Sequence, residues 1–209
     1  MSLIKDLAWR YATKNMSGKA VSKKKLESIL NAINLSASSY GMQPYKVLVV
    51  SRKSVKAKLQ AAAYNQPQVG SSSHVLVFAV QLAITPKDVD TFISLVATTR
   101  GIPENVLAGY KGQINGTIGA APAEAQQIWA TKQAYIALGT GLAAAAEQKV
   151  DACPMEGFDA AEFDKILGLT KMGLKSVTML PIGYRNADDA VAGMAKVRKA
   201  SEDMFHFVK

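Results

Sequence analysis

The sequence has little of what anchors small exported folds. Cys153 is the single cysteine, so no internal disulfide can form. His74 and His206 are the two histidines, and they lie far apart. With one cysteine they leave no Cys/His cluster for a zinc site. Long apolar runs are missing too. The opening MSLIKDLAWRYATKNMSGK has no apolar core of the kind a signal peptide carries. The stretch LGTGLAAAA is too short and too small-sided to span a bilayer. A soluble, cytoplasmic protein is the expectation. Several chemical signatures are absent as well. No GxSxG elbow supports a serine nucleophile, and no nucleophile–base pair is visible. GTGLAA sits inside a helical stretch without the preceding strand of a dinucleotide fingerprint. GQINGTIG lacks the Lys-Ser/Thr of a P-loop.

What is present is an ordinary globular composition. Hydrophobic residues make up 49% of 209, and charged residues 20%, enough apolar material for the core of one domain spanning residues 1–209. Basic residues exceed acidic ones, 25 against 16, for a net charge of +9. Such an excess suits nucleic acid, an anionic membrane surface or small phosphorylated ligands. The lysines are spread out, and the densest run, SKKKLES at 22–28, reads as the solvated first turns of a helix. No nucleic-acid motif accompanies them.

Periodicity predicts a layered α/β or α+β chain. Residues 2–13 carry Leu3, Ile4, Leu7, Ala8 and Tyr11 at helical spacing. Ser22 can cap a helix over 23–35. YKVLVV predicts a strand over 45–51, HVLVFAVQLA a buried strand over 74–83, and LKSVTMLPIGY a third. Between them, 54–64 predicts a helix and NQPQVGSSS a loop. Thr85-Pro86 opens another helix. Residues 101–121, rich in Gly, Pro and Asn, show weak periodicity and read as a mobile excursion. Pro122 starts an Ala-rich central helix to about Gln148, and a short helix lies near 160–168. The tail MFHFVK alternates, and predicts an edge strand over 204–209 that pairs with a sheet edge, in a partner subunit by expectation.

Four stretches carry polar groups in suggestive patterns. SASSYGMQPYKVLVV (36–50) puts two serines, a Gly and Gln-Pro before a strand. RYATK (10–14) puts Arg10 and Lys14 four apart, on one face if the helix continues. KVR (196–198) puts Lys196 and Arg198 on one side of an extended chain, a pairing that suits a phosphate. In CPMEGFDA (153–160), Pro154 and Gly157 shape a turn that can offer backbone N–H groups, while Asp159 caps the next helix. Each alone reads first as a helix cap, a turn or a solvated face.

Together, and in this order, these stretches resemble the FMN-dependent nitroreductase family, the oxygen-insensitive NAD(P)H nitroreductases and flavin reductases. AAAYNQPQVGSSSHVLVFA and the Pro-x-Glu-Gly-Phe turn match the family's pattern as well. The resemblance implies an α+β fold with a mostly antiparallel sheet flanked by helices, in an intertwined homodimer with FMN at its interface. It implies that Arg10, Lys196 and Arg198 hold the FMN phosphate, with backbone of Tyr11 and Ala12 nearby. Lys14, helped by Asn65, would approach the pyrimidine edge of the flavin. Gln68 stands where some members carry a lysine near the ring. Pro154, Met155, Glu156 and Gly157 would cover one face, with two N–H groups toward N5 and O4. Ser38, Ser39 and Gln43 would come from the partner, and Tyr110 would stack on substrate. The implied activity is ping-pong hydride transfer from NAD(P)H to nitroaromatics or quinones, with chemistry on FMN and no catalytic side chain. A dedicated flavin or dihydropteridine reductase, a flavin-binding protein without turnover, and a basic interaction module are the alternatives.

Overall fold

The computed structural model describes residues 2–208. Among them, β1 (Tyr45–Val50), β2 (His74–Gln81), β3 (Asp151–Ala152) and β4 (Leu174–Gly183) form one antiparallel sheet in the order β1-β2-β4-β3. The register pairs Val47 with Phe78 and Leu76 with Leu180, and a bulge falls between Phe78 and Ala79. Residues 75–80 of β2 are wholly buried, so both faces of the sheet are covered. That explains why β2 reads as a continuous apolar run rather than an alternation.

Alternate residues serve two cores. Leu76, Phe78, Val80, Leu180 and Ile182 face α2 (Lys23–Asn34) and α7 (Ala123–Glu147). Val75, Val77 and Met179 face Leu59 of α3 (Lys53–Ala62) and Phe163 of α8 (Ala160–Leu167). The result is an α+β layering of helices on both sides of an antiparallel sheet, as expected. The caps follow local chemistry. Ser22 accepts from the Lys25 N–H, and Thr85 and Asp88 form a reciprocal capping box at the start of α5 (Pro86–Arg100). Asp159 caps α8.

Elsewhere the structure departs from periodicity. Helix α1 (Leu3–Trp9) stops four residues early, because Arg10 turns to an extended backbone with ψ of 147°. Within NQPQVGSSS, expected as a loop, Pro67–Ser71 forms a short helix, α4, with Pro at its first position. Residues 101–121 are mostly helical. A 3-10 turn (Glu104–Leu107), α6 (Ala108–Ile114) and a π-helical turn (Asn115–Gly119) follow one another. Three helix types with three different periods blur the apolar spacing that a sequence pass relies on. Leu107 and Ile114 nevertheless join Val89, Ile93 and Ala97 of α5 in a third core. The tail opens with a helical turn, α9 (Ser201–Met204), and residues 205–208 pair with no strand among the described residues. Lys209, the end of the expected edge strand, lies outside the described residues.

Candidate functional site

The end of α1 sets up the site. Beyond Trp9 the chain is extended, so its side chains alternate. Trp9 and Tyr11 flank the Arg185 guanidinium, each ring centroid 4.5 Å from its carbon. The Thr13 hydroxyl donates to Asp151 Oδ1 at 3.4 Å. Asp151 also accepts from Arg185 Nε at 2.9 Å and from its backbone N–H at 2.8 Å. The even-numbered residues face the other way. Ala12 pairs with Ala152, and Lys14 Nζ reaches Cys153 Sγ at 3.9 Å. Arg10 and Lys14 thus share a side, but through a period of two rather than a continued helix.

Asp189 holds this stretch from behind. The residue is 5% exposed and accepts from the backbone N–H groups of Lys14 (2.8 Å), Asn15 (3.1 Å) and Val191 (3.1 Å). Burial pushes its carboxyl up, but these N–H donors and the Tyr11 phenol outweigh burial and hold it below the usual carboxylate range. Past Asp189 the chain brings Lys196 back over α1. Lys196 Nζ donates to the carbonyls of Leu7, at 2.7 Å, and Arg10. Burial lowers the Arg10 guanidinium, and Arg198 lowers it further. Burial likewise lowers Lys196, with Arg10 and Arg198 adding to it. Three cations therefore crowd one another. Among the described residues, Arg10 Nε is buried without a hydrogen-bond partner, and no carboxylate forms an ion pair with any of the three cations.

The turn at 153–157 forms the adjoining wall. Met155 exchanges backbone hydrogen bonds with Met179 of β4, and the Thr178 hydroxyl donates to its carbonyl at 3.0 Å. Gln66 Nε2 donates to the Gly157 carbonyl at 2.7 Å, and the Asp159 N–H to the Ala62 carbonyl at 2.8 Å. Pinned at both ends, the turn leaves Glu156 and Gly157 exposed. Among the described residues, neither N–H finds an acceptor. Gln68 is buried beneath, its Nε2 3.9 Å from Cys153 Sγ. Burial raises the Cys153 thiol, and Lys14 partly opposes that. Asn65 is exposed at the head of α4, in a left-handed conformation with φ of 58°.

The family model described as "Nitroreductase family" matches residues 7–184. The chain belongs to the nitroreductase family. The Major NAD(P)H-flavin oxidoreductase of Aliivibrio fischeri is 32% identical over 210 residues, covering 97% of this chain and 96% of its own. The oxygen-insensitive NAD(P)H nitroreductase of Salmonella typhimurium is 28% identical, covering 95% of each. A nitroreductase-type protein from Exiguobacterium sibiricum, solved in complex with FMN, superposes with a TM-score of 0.84. It is 24% identical and covers 100% of this chain and 98% of its own, a likeness of fold.

In this nitroreductase the serine-rich loop is a separate piece. Ser38 Oγ accepts from the Gln43 N–H at 3.1 Å, and the Ser39 N–H donates to Gln133 Oε1 at 2.7 Å. Gln43 Nε2 donates to the Asn34 carbonyl at 2.8 Å. Tyr40 and Gln43 both adopt positive φ, 59° and 45°. Among the described residues, no hydrogen bond joins this loop to residues 10–14, 153–157 or 196–198. The loop and the residues around Arg10 and Lys14 are thus two separate polar clusters of this chain. Tyr110 belongs to the loop's side. Its hydroxyl donates to the Tyr40 carbonyl at 2.7 Å, and its ring packs at an angle on Tyr40 and Phe92.

Beside the 153–157 turn, Tyr135, Leu138, Glu156 and Thr178 line a cavity of about 370 Å³. Burial and the Glu156 carboxylate push the Tyr135 phenol up to about 12. Sequence reasoning missed Gln66, Tyr135, Asp151, Arg185 and Asp189. All five act through partners distant in sequence. Only the pair Asp188-Asp189, standing between the third strand and the KVR triplet, left a local trace. Among the described residues, no helix is long and apolar enough to cross a membrane.

Proposed function

We propose that the chain, residues 1–209 as one unit, is an FMN-dependent NAD(P)H oxidoreductase that works as a homodimer. One observation carries the reading. Arg10, Lys196 and Arg198 crowd together around a buried Arg10 Nε, and the segment carrying Arg10 and Lys14 lies against Ala152 and Cys153, which lead into the backbone N–H groups of Glu156 and Gly157; among the described residues neither that Nε nor those N–H groups have a partner. The cations fit a phosphate, and the N–H pair fits ring acceptors. Tyr11 and Ala12 supply backbone between them. Lys14 and Asn65 serve the ring's pyrimidine edge, with Gln68 behind. Pro154 to Gly157 cover one face. Ser38, Ser39 and Gln43 of the partner subunit complete the site, which gives a reason for the two separate polar clusters of one chain. Residues 101–121, with Tyr110 packed among them, form a wall over the acceptor.

FMN supplies hydride exchange when bound there. The chain's own task is to hold it, exclude water and tune it. An ammonium such as Lys14 favours a ring that gains negative charge on reduction. NAD(P)H and the acceptor use the open side in turn, a ping-pong order that needs no acid–base dyad. Nitroaromatics and quinones are the acceptors of first choice. A second reading, free flavin as acceptor, is favoured by the Aliivibrio fischeri relative, which is named for flavin.

The test is the visible absorption spectrum of the purified protein, before and after NADPH under argon. Oxidised-flavin bands that bleach on addition are expected. A protein that stays colourless after incubation with FMN overturns the reading. Retained flavin without NAD(P)H oxidation by any acceptor leaves a binding protein instead.

A further inference from the structure

Among the described residues no cation forms an ion pair with Asp189, yet the fold buries it. It accepts from the backbone N–H groups of Lys14, Asn15 and Val191, with the Tyr11 phenol beside them. Lys14 and Asp189 are 175 residues apart. The contact ties the strand-like segment carrying Arg10 and Lys14 to the segment that leads to Lys196 and Arg198. Neighbouring contacts point the same way. Asn15 Nδ2 donates to Asp188 Oδ1 at 3.0 Å, the Asn186 N–H to the Asn15 carbonyl at 3.0 Å, and the Ser17 N–H to the Tyr184 carbonyl at 2.8 Å. These bonds are at the edge. Of these groups Asp189 is the buried one, and it binds the backbone of both segments at once.

We propose that Asp189 is a positioning residue: its carboxylate fixes the backbone of Lys14 and the start of the 189–198 arm, and so sets where the Lys14 ammonium and the phosphate cations stand relative to the flavin. The inference rests on the flavin reading above. Three N–H donors on one carboxylate define a direction as well as an attraction, because each bond weakens steeply off line. Lys14 and Asn15 donate to Oδ2 and Val191 to Oδ1, so an amide keeps one of those two acceptors, uncharged, and turns its NH₂ against the N–H at the other. Asp189→Asn therefore keeps the volume and weakens the clamp. Lys14, exposed at its tip, would then sample positions away from the ring.

The experiment compares wild type, Asp189→Asn, Asp189→Glu, Lys14→Met and the Asp189→Asn/Lys14→Met double variant. FMN affinity is read by quenching of flavin fluorescence, and the midpoint potential of bound FMN by redox titration. In the flavin-free protein, hydrogen exchange of the Lys14 and Asn15 amides is read by NMR. The expected results are faster exchange of those two amides in Asp189→Asn, a Kd for FMN raised about tenfold, and a potential shifted in the same direction as in Lys14→Met. In the Lys14→Met background, Asp189→Asn should shift the potential no further. A general loosening of the fold would add in both backgrounds. Asp189→Glu, which keeps the charge at a longer reach, should fall between the two, and it carries the test if the Asn variant does not fold. Unchanged FMN affinity and potential in Asp189→Asn, or fully additive shifts, overturn the positioning role alone. A wild-type chain that binds no FMN overturns the flavin reading, and the positioning role with it.

Discussion

Arg10 is asked to do two things that oppose each other. It sits half-buried beside Arg198 and Lys196, and its Nε has no partner. In the flavin-free protein that arrangement costs stability, since buried like charges repel. With a phosphate present the same arrangement becomes affinity. Arg10→Ala should therefore raise the Kd for FMN by roughly 10- to 100-fold, the worth of charged hydrogen bonds. It should not lower the melting temperature of the flavin-free protein. A calorimetric loss of several degrees would assign Arg10 a packing role instead. Asp189 makes a prediction of opposite kind. Its folded-state pKa lies below the value near 3.9 of an unfolded aspartate. Its contribution to stability is complete above about pH 4 and is lost as pH falls through the lower folded value. Urea unfolding from pH 2 to 7 should show a shallower acid limb in Asp189→Asn than in wild type. Parallel acid limbs would count against the clamp. The role of Asp189 was hardly legible in the sequence, because an aspartate that binds backbone amides 174 and 175 residues away leaves no more trace than the Asp188-Asp189 pair, whereas Arg10 was legible through the resemblance that RYATK and KVR carry.

Helices and strands follow their local rules where one period holds throughout. Ser22, Thr85-Pro86, Pro122 and Asp159 mark helix starts in the sequence, and each does so in the structure. The capping box of α5 gives a measurable case. Thr85→Ala removes the acceptor for the Asp88 N–H and should cost about 1 kcal/mol, readable as a lower urea midpoint with unchanged slope. A change below a few tenths would show that packing in the third core, not the cap, fixes the helix start. Close approach is the other element-scale device. A Cβ on Gly141 of α7 would lie 3.0 Å from two carbons of Ile33 on α2. Gly141→Val should thus destabilise by about 1–3 kcal/mol through overpacking, and Gly141→Val/Ile33→Ala should recover part of the loss. What periodicity could not give are the places where the period changes or the element is too short to show one. The two-residue β3, the five-residue α4 and the π-turn at 115–119 are the examples. The early end of α1 is a tertiary effect. Arg185 and Asp151 draw residues 10 to 13 into an extended conformation that propensity alone does not favour.

At the scale of the molecule, the arm beyond Asp189 is the part least supported by its own chain. Val197, Phe205, Phe207 and Val208 stand 62–90% exposed. A second subunit is the proposed cover, and deleting residues 200–209 should weaken the homodimer. An unchanged dimer on sizing at micromolar concentration would sink that idea. The alternation of MFHFVK was readable, but among the described residues Met204 closes a helical turn and residues 205–208 pair with no strand. The arm also fixes an order of events. Lys196 meets Arg10 across 186 residues and Leu7 across 189, so the proposed phosphate cradle is closed by contacts nearly as long-range as the chain allows. Loops of that length close late in folding, after the local helices and the β1–β2 hairpin-like pair. Mutual repulsion of the cations delays closure further. FMN therefore arrives too late to seed the fold and acts as a latch on a finished one. Refolding from urea should proceed at the same rate with or without FMN, while unfolding should slow as FMN concentration rises.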